Sequence, residues 1–181
     1  MTPQEQWEKC LKFVSKWEGG WSDDKYDKGG KTKYGITEAV YKDARAKLIV
    51  RASSIEALTK AEADKIYRMK YYDAYMLSAL PYKAALVCFD TVVNMGSGGL
   101  ADVVQWACIK LGASLKWDKL WGPLTQSALI VKMENPQLPA LMIEARRARY
   151  ERIVKNNPVQ RRFIRGWMNR VIDLEKEVVK L

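Results

Sequence analysis

The sequence predicts a mainly α fold: a helical bundle around one central buried helix, with a small β-hairpin lobe after the first helix. Three observations lead to this prediction. Apolar residues recur at helical spacing from Thr37 almost to the end of the 181-residue chain. Residues 21–36 instead combine short β-like pieces with glycines and other turn residues. The segment 81–96, PYKAALVCFDTVVNMG, is apolar nearly all round and is therefore expected to form the central helix.

The first helix has a clear beginning and end. Thr2 and Glu5 form a T-x-x-E capping box around Pro3, a residue that suits the first helical position. Gly19 and Gly20 are expected to end the helix. Between these limits one apolar face is predicted, made by Trp7, Cys10, Leu11, Val14 and Trp17.

The later helices follow from similar local signals. A second capping box joins Thr59 to Glu62, and Pro123 stands where another helix is expected to begin. Glycines at 96, 98 and 99 are expected to break the central helix before LADVVQWACIKLG. Further helices are predicted over TEAVYKDARAKL and over the ranges 138–156 and 160–179.

Length and composition indicate one globular domain or two small subdomains. The chain is 48% hydrophobic and 29% charged, and it has no run of 18 apolar residues that predicts a membrane span. The N-terminal MTPQEQWEKC lacks the pattern of a secretory signal, so we expect synthesis in the cytoplasm. The net charge of +10 indicates either simple solubility or an anionic partner. It does not distinguish nucleic acid, a membrane surface and an acidic wall polymer as that partner.

The absence of histidine narrows the possible chemistry. Without it the chain lacks the usual base of a serine or cysteine triad and the commonest metal ligand. Cys10, Cys88 and Cys108 have no paired spacing and lie in apolar helical patterns, which predicts buried free thiols. Any hydrolysis is therefore expected to use carboxylates.

Glu18 is the first candidate for such chemistry. It follows the apolar pattern of the first helix, and a helix C-terminus together with burial favours the protonated form that a general acid needs. Asp27 follows in a polar stretch that keeps a carboxylate charged, and one protonated plus one ionised carboxyl is the arrangement that cleaves glycosidic bonds. The alternative is an ordinary surface residue at a helix end and an aspartate that forms a turn.

The same region resembles a known family. EGGW, then Asp27, then GGKTKYGIT match in order the signature of the glycoside hydrolase family 108 lysozymes, which are bacterial and phage N-acetylmuramidases. Further similar segments follow along nearly the whole chain: LTKAEADKIYRMKYYDAY, LPYKAALVCFDTVVNMG, WGPLTQSAL and FIRGWMNR.

The resemblance implies a lysozyme-like α+β fold and a muramidase that cuts the β-1,4 bond between N-acetylmuramic acid and N-acetylglucosamine, with Glu18 as catalytic acid. It implies a muramidase region over 1–85 and a peptidoglycan-binding-like region over 86–181, packed as one compact unit. Thr32 corresponds to the water-positioning threonine of phage-type lysozymes, although it lies one residue nearer to Glu18. The stretch SDDKYD leaves Asp23 and Asp24 as alternatives to Asp27 for the second carboxylate.

Four further residues are candidates for substrate binding. Asp90 and Asn94 share a face of the central helix and are predicted either to bind sugar groups or to satisfy polar partners in the core. Tyr34 and Tyr72, like the neighbouring Tyr71, have rings that suit the apolar face of a pyranose. Core packing is the expected role for at least one of the three tyrosines.

We therefore expect a peptidoglycan hydrolase that is monomeric, needs no metal or organic cofactor and does not insert stably into membranes. This activity fits two roles. One is an endolysin, held in the cytoplasm until a holin releases it to the wall. The other is to help proteins pass through the wall. The alternative is a non-catalytic wall-binding protein. Binding to nucleic acid is not expected, because the chain shows no basic motif of a recognised type.

Overall fold

The predicted mainly α fold is confirmed by a computed structural model, which describes residues 1–19 and 31–179. Over these residues there are seven α-helices: α1 Pro3–Trp17, α2 Glu38–Ala46, α3 Lys60–Tyr67, α4 Tyr82–Lys110, α5 Pro123–Lys132, α6 Leu138–Asn156 and α7 Arg161–Val179. A two-stranded antiparallel sheet pairs β1, Thr32–Lys33, with β2, Ile36–Thr37. A π-helical turn spans Arg68–Tyr72, and short 3₁₀ turns cover Asp73–Tyr75, Leu77–Ala79 and Pro158–Gln160.

Two compact units make up the chain, Met1–Ser78 and Ala79–Leu181. The first holds α1, the β-hairpin, α2, α3 and the π-turn. The second holds α4 to α7. The predicted functional division into 1–85 and 86–181, packed as one body, stays a prediction.

Helix α1 begins and ends close to its predicted limits. Both hydrogen bonds of the capping box between Thr2 and Glu5 are present. The helix ends at Trp17, and Glu18 is its C-cap, with φ −87° and ψ 116°. Gly19 does not take the left-handed conformation of a typical C-terminal glycine, so the extended backbone of Glu18 itself turns the chain out of the helix.

Helix α4 is the central buried helix of the second unit. Most of its residues from Ala84 to Val92 and from Gly99 to Cys108 are buried. Gly96, with φ 70° and ψ −177°, interrupts the helical backbone, which confirms the predicted break at this glycine while the helix continues beyond it. Among the described helices, α4 is the one long and apolar enough to cross a membrane, but 67% of that apolar window is buried in the protein.

Helices α5, α6 and α7 complete the second unit around α4. Helix α6 packs against both α4 and α7, and α5 packs against α4. Tyr150 of α6 and Trp167 of α7 stack with ring centroids 4.9 Å apart. This contact makes the FIRGWMNR segment part of the helix packing.

The three cysteines are buried and free, as the sequence predicts. Burial raises the pKa of the Cys10 thiol to about 12 and that of Cys108 to about 11. Both thiols are therefore protonated at neutral pH, a state of low nucleophilicity.

Candidate active site

Glu18 stands at the junction between α1 and the segment that leads to the β-hairpin. Its backbone N–H donates to the Val14 carbonyl at 3.1 Å, which retains the last helical hydrogen bond. Its side chain is half-buried. The carboxyl group is thus carried at a helix end by a residue that keeps part of its surface exposed.

The β-hairpin is closed by a two-residue turn, Tyr34–Gly35. Both residues have positive φ, 52° for Tyr34 and 74° for Gly35, which is the type I′ geometry that suits the twist of paired strands. The strand register pairs Thr32 with Thr37 and Lys33 with Ile36. Thr37 also caps α2 by accepting from the Val40 N–H, so the hairpin is joined rigidly to the next helix.

The hairpin turn brings the backbone of Gly35 against the carboxyl group of Glu18. A Cβ atom built on Gly35 would lie 2.6 Å from Glu18 Oε2, 2.8 Å from Glu18 Cβ and 2.4 Å from the Tyr67 hydroxyl. Real Cβ atoms do not approach other atoms so closely. Only glycine therefore fits between these two side chains, and it also supplies the positive φ of the turn.

Tyr67 holds the hairpin turn in place through a hydrogen bond. Its ring is buried, and its hydroxyl donates to the Tyr34 carbonyl at 2.9 Å. The last residue of α3 thereby fixes the turn that contacts Glu18.

Tyr71 joins the same cluster through the π-helical turn. Its ring lies 5.9 Å from the Tyr67 ring, and it is half-buried. Burial, then Tyr75 and the negative charge of Glu18, raise the pKa of the Tyr71 hydroxyl. The Tyr71 hydroxyl therefore stays protonated at neutral pH and keeps its O–H donor.

Tyr72, one residue further on, points into the core instead. Its side chain has no exposed surface, its ring meets Trp7 edge-on at 5.1 Å, and its hydroxyl accepts from Gln6 Nε2 at 3.0 Å. Burial raises its pKa to about 12. Against the expectation of a stacking surface for sugar, Tyr72 is thus placed as the core tyrosine among the three candidates.

The remaining residues predicted for catalysis have different positions. Asp27 lies outside the described residues, as do its alternatives Asp23 and Asp24. Thr32 is half-buried on β1, in the same hairpin as Gly35. Tyr34, also half-buried, occupies the turn itself, with the Lys33 ammonium 5.4 Å from its ring centroid.

Asp90 belongs to a buried ion network in the second unit. Its carboxylate accepts from Arg146 Nη1 and, at 2.9 Å, from Arg170 Nε, and both Asp90 and Arg146 have no exposed surface. Burial opposes the ionisation of Asp90, but the charges of Arg146 and Arg170 outweigh it and hold its pKa below the usual range. Asp90 therefore satisfies polar partners in the core, which was the predicted alternative to sugar binding.

Asn94 lies one turn further along α4 and is half-buried. Its side-chain carbonyl accepts a hydrogen bond from the Tyr150 hydroxyl, which in turn lies 3.4 Å from Arg146 Nη2. The predicted shared face of Asp90 and Asn94 therefore exists, and both side chains are engaged with α6.

Two residues beside Glu18 were not among the sequence candidates: Gly35 and Tyr67. The signal for Gly35 was its position after an aromatic residue and before a β-branched pair, which is typical of a tight hairpin turn. Tyr67 and Tyr71 share helical i, i+4 spacing, a pattern that indicates one common face.

Comparison with known proteins indicates the class of protein that this chain resembles. The model of the family described as glycosyl hydrolase 108 matches residues 11–96, and the model described as a predicted peptidoglycan domain matches residues 101–172. Among solved structures, that of Brucella abortus SagA is similar, with 25% sequence identity over 98% of this chain and 95% of that one, and a TM-score of 0.75. A comparison with curated proteins finds no match.

These matches support a glycoside hydrolase that acts on peptidoglycan. Residues 11–96 are thus similar to the glycosyl hydrolase 108 family, and residues 101–172 are similar to a predicted peptidoglycan domain.

Proposed function

We propose that the protein is an N-acetylmuramidase, which cleaves the β-1,4 bond between N-acetylmuramic acid and N-acetylglucosamine in peptidoglycan. The observation that carries this proposal is the contact between Gly35 and the half-buried carboxyl group of Glu18. The hairpin turn that meets this carboxyl group is held by the Tyr67 hydroxyl, as expected for a group that must be oriented toward a substrate.

Glu18 acts as the general acid. In its protonated form it transfers a proton to the glycosidic oxygen while the bond from the anomeric carbon to that oxygen breaks. Water then adds its hydroxyl to the anomeric carbon, and its remaining proton passes to a carboxylate. The transition state resembles an oxocarbenium ion, so a second, ionised carboxylate stabilises the reaction.

We assign that second carboxylate to Asp27, with Asp23 and Asp24 as the alternatives. Thr32 orients the attacking water, and Tyr34 stacks on a sugar ring. The position of Thr32 and Tyr34 on the hairpin that contacts Glu18 supports these two roles.

The products distinguish a muramidase from other peptidoglycan hydrolases. Purified sacculi are digested, the fragments are reduced with borohydride, and the reduced sugar is identified by mass spectrometry. Reduced N-acetylmuramic acid at the new ends is the expected result. Reduced N-acetylglucosamine would assign a glucosaminidase, and binding of sacculi without any new reducing end would assign a non-catalytic wall-binding protein.

The same digestion with Asp27→Asn, Asp23→Asn and Asp24→Asn tests the second carboxylate. A large loss of rate in Asp27→Asn alone is expected. A loss confined to Asp23→Asn or Asp24→Asn would transfer the role to that residue.

Delivery to the wall is a separate proposal. Peptidoglycan lies outside the cytoplasmic membrane, so an enzyme made in the cytoplasm needs a route across, and we propose holin-type release of a monomer. Co-expression with a holin is expected to lyse cells that expression of the enzyme alone leaves intact. Equal lysis without the holin would contradict this route.

A further inference from the structure

Exposed apolar side chains are concentrated in one part of the second unit. Of the fourteen large hydrophobic residues that are exposed in the described part of the chain, six lie between 109 and 131. They are Ile109, Trp117, Leu120, Leu124, Ile130 and Val131. Monomeric soluble proteins usually expose such residues singly, and a concentration of them marks an interaction surface.

Helix α5 shows how this arrangement arises. Its inner face buries Thr125 and Leu129 to about 2% exposure, and the helix packs against α4. Its outer face carries Leu124, which is 77% exposed, and Val131, which is 76% exposed, at i and i+7. The helix therefore has a second apolar stripe, which faces away from the core.

The outer stripe borders two adjoining hollows. One, of about 420 Å³, lies between Leu124 and Val131 and the loop 112–116, and both Lys116 and Lys132 line it. A smaller one, of about 150 Å³, shares Lys116 and Leu124 with the first and adds Leu120. We call the surface made by Leu120, Leu124, Val131, Lys116 and Lys132 the α5 surface.

The loop that carries Leu120 is fixed by hydrogen bonds. Gln105 Nε2 donates to Asp118 Oδ1 at 2.7 Å and to the Thr125 hydroxyl at 2.9 Å, and Gln105 Oε1 accepts from the Lys119 N–H at 2.8 Å. Gln105 is buried. The exposure of Leu120, 69%, is thus a property of an anchored loop.

The charge of this region is strongly positive. Residues 109–132 contain four lysines, at 110, 116, 119 and 132, and a single acidic residue, Asp118. The Leu120 N–H and Gln105 satisfy the Asp118 carboxylate and lower its pKa. An apolar surface bordered by lysines is complementary to a partner that has apolar material beneath an anionic layer.

We propose that the α5 surface docks the protein onto an anionic lipid bilayer. Leu120, Leu124 and Val131 enter the boundary between headgroups and acyl chains, and the ammonium groups of Lys116 and Lys132 meet lipid phosphates. A glycan strand suits this surface less well, because leucine and valine side chains offer no hydrogen bonds to hydroxyl groups. The proposal is independent of the role of Glu18.

Vesicle flotation of the full chain tests the proposal. Vesicles of phosphatidylglycerol mixed with phosphatidylcholine are compared with vesicles of phosphatidylcholine alone. Wild type is expected to float with the anionic vesicles. The double variants Leu124→Ser/Val131→Ser and Lys116→Gln/Lys132→Gln are each expected to bind about tenfold or more weakly.

Matched controls use exposed residues of the first unit. Leu48→Ser removes an apolar side chain that is 86% exposed, and Lys9→Gln/Lys12→Gln removes two exposed lysines from α1. Both controls are expected to bind as wild type does. Thermal melting of all variants is expected to match wild type, since each changed side chain lies on the surface.

Three results would overturn the proposal. Wild type that fails to float with anionic vesicles is one, and undiminished flotation of Leu124→Ser/Val131→Ser is another. The third is loss of binding to lipid-free sacculi, or loss of self-association, in the α5-surface variants while vesicle binding stays at the wild-type level. That result would assign the surface to glycan or to a second copy of the chain.

Discussion

Gly35 and Glu18 are in such close contact that no side chain fits between the hairpin turn and the carboxyl group. A Cβ atom on Gly35 would lie 2.6 Å from Glu18 Oε2. The contact joins residues 17 positions apart, one at a helix end and one in a type I′ turn. The position of the proposed acid therefore depends on the hairpin as much as on the helix.

Gly35→Ala is expected to abolish most of the activity, because the new methyl group must displace the carboxyl group of Glu18 or the Tyr67 hydroxyl. A displacement of about 1 Å at a reacting group lowers rates by about 100-fold. The measurement is the rate of sacculus solubilisation at saturating substrate.

Gly112→Ala is the matched control for Gly35→Ala. Gly112 also has positive φ, 80°, but has no atom within 4 Å of an added Cβ. Both variants carry about 1–2 kcal/mol of backbone strain, and Gly35→Ala adds the steric cost of its clash with Glu18 and Tyr67. Only Gly35→Ala is expected to lose activity. Equal activities would show that the contact with Glu18 is not needed.

Tyr67→Phe removes the hydroxyl that donates to the Tyr34 carbonyl and keeps the ring. We expect a loss of about 1 kcal/mol in the free energy of unfolding, the usual net contribution of one hydrogen bond. A fall in kcat is expected as well, since the turn that positions Glu18 is loosened. Urea unfolding and initial rates measure the two effects, and an unchanged kcat would show that the turn holds without this bond.

Local signals predicted much of this fold. The capping boxes at Thr2 and Thr59 and the helix start at Pro123 were predicted correctly, because each depends on residues within one helical turn. The hairpin was likewise expected from its turn residues. Glu18 was a candidate because a carboxylate after an apolar helix pattern is visible in the sequence itself.

Long-range contacts explain what the sequence did not reveal. The π-helical turn places Tyr71 against the Tyr67 ring and Tyr72 in the core, and spacing alone did not separate these adjacent rings. Asp90 pairs with arginines 56 and 80 residues away, partners that no local pattern indicates. The contact of Gly35 with Tyr67 depends in the same way on tertiary packing.

Asp90→Asn is expected to destabilise the protein by about 3–5 kcal/mol at pH 7, because it leaves two buried arginines without their counter-charge. The folded pKa of Asp90 lies below its unfolded value, so its stabilising effect is present above the unfolded pKa, about 3.9. This stabilising effect is lost as the pH falls from about 3.9 through the lower, folded pKa of Asp90. Urea unfolding between pH 7 and pH 3 measures both the loss in the free energy of unfolding and its dependence on pH.

Asp90→Asn should therefore lose less stability than wild type as the medium is acidified. Glu134→Gln, a change at an exposed carboxylate, is the control and is expected to follow wild type at every pH. If the free energy of unfolding of Asp90→Asn changed with pH in parallel with that of wild type, the lowered pKa of Asp90 would be contradicted.

Tyr34→Asn tests the proposed stacking surface. Asparagine tolerates the positive φ of this turn position, so the hairpin is retained while the ring is lost. We expect KM to rise by about two- to tenfold with little change in kcat, in line with the usual contribution of an aromatic contact. Lys33→Gln keeps the ring and serves as the control. A KM equal to that of wild type in Tyr34→Asn would remove Tyr34 from the binding site.

Glu18→Gln tests the central claim most directly, by counting new reducing ends released from purified sacculi. Glu8→Gln, at an exposed position on the same helix, is the control. We predict that Glu18→Gln loses activity by at least about 100-fold, the contribution of a general acid. Thermal stability is expected to stay near that of wild type, and Glu8→Gln to remain fully active. Release of reducing ends by Glu18→Gln at the wild-type rate would contradict the account.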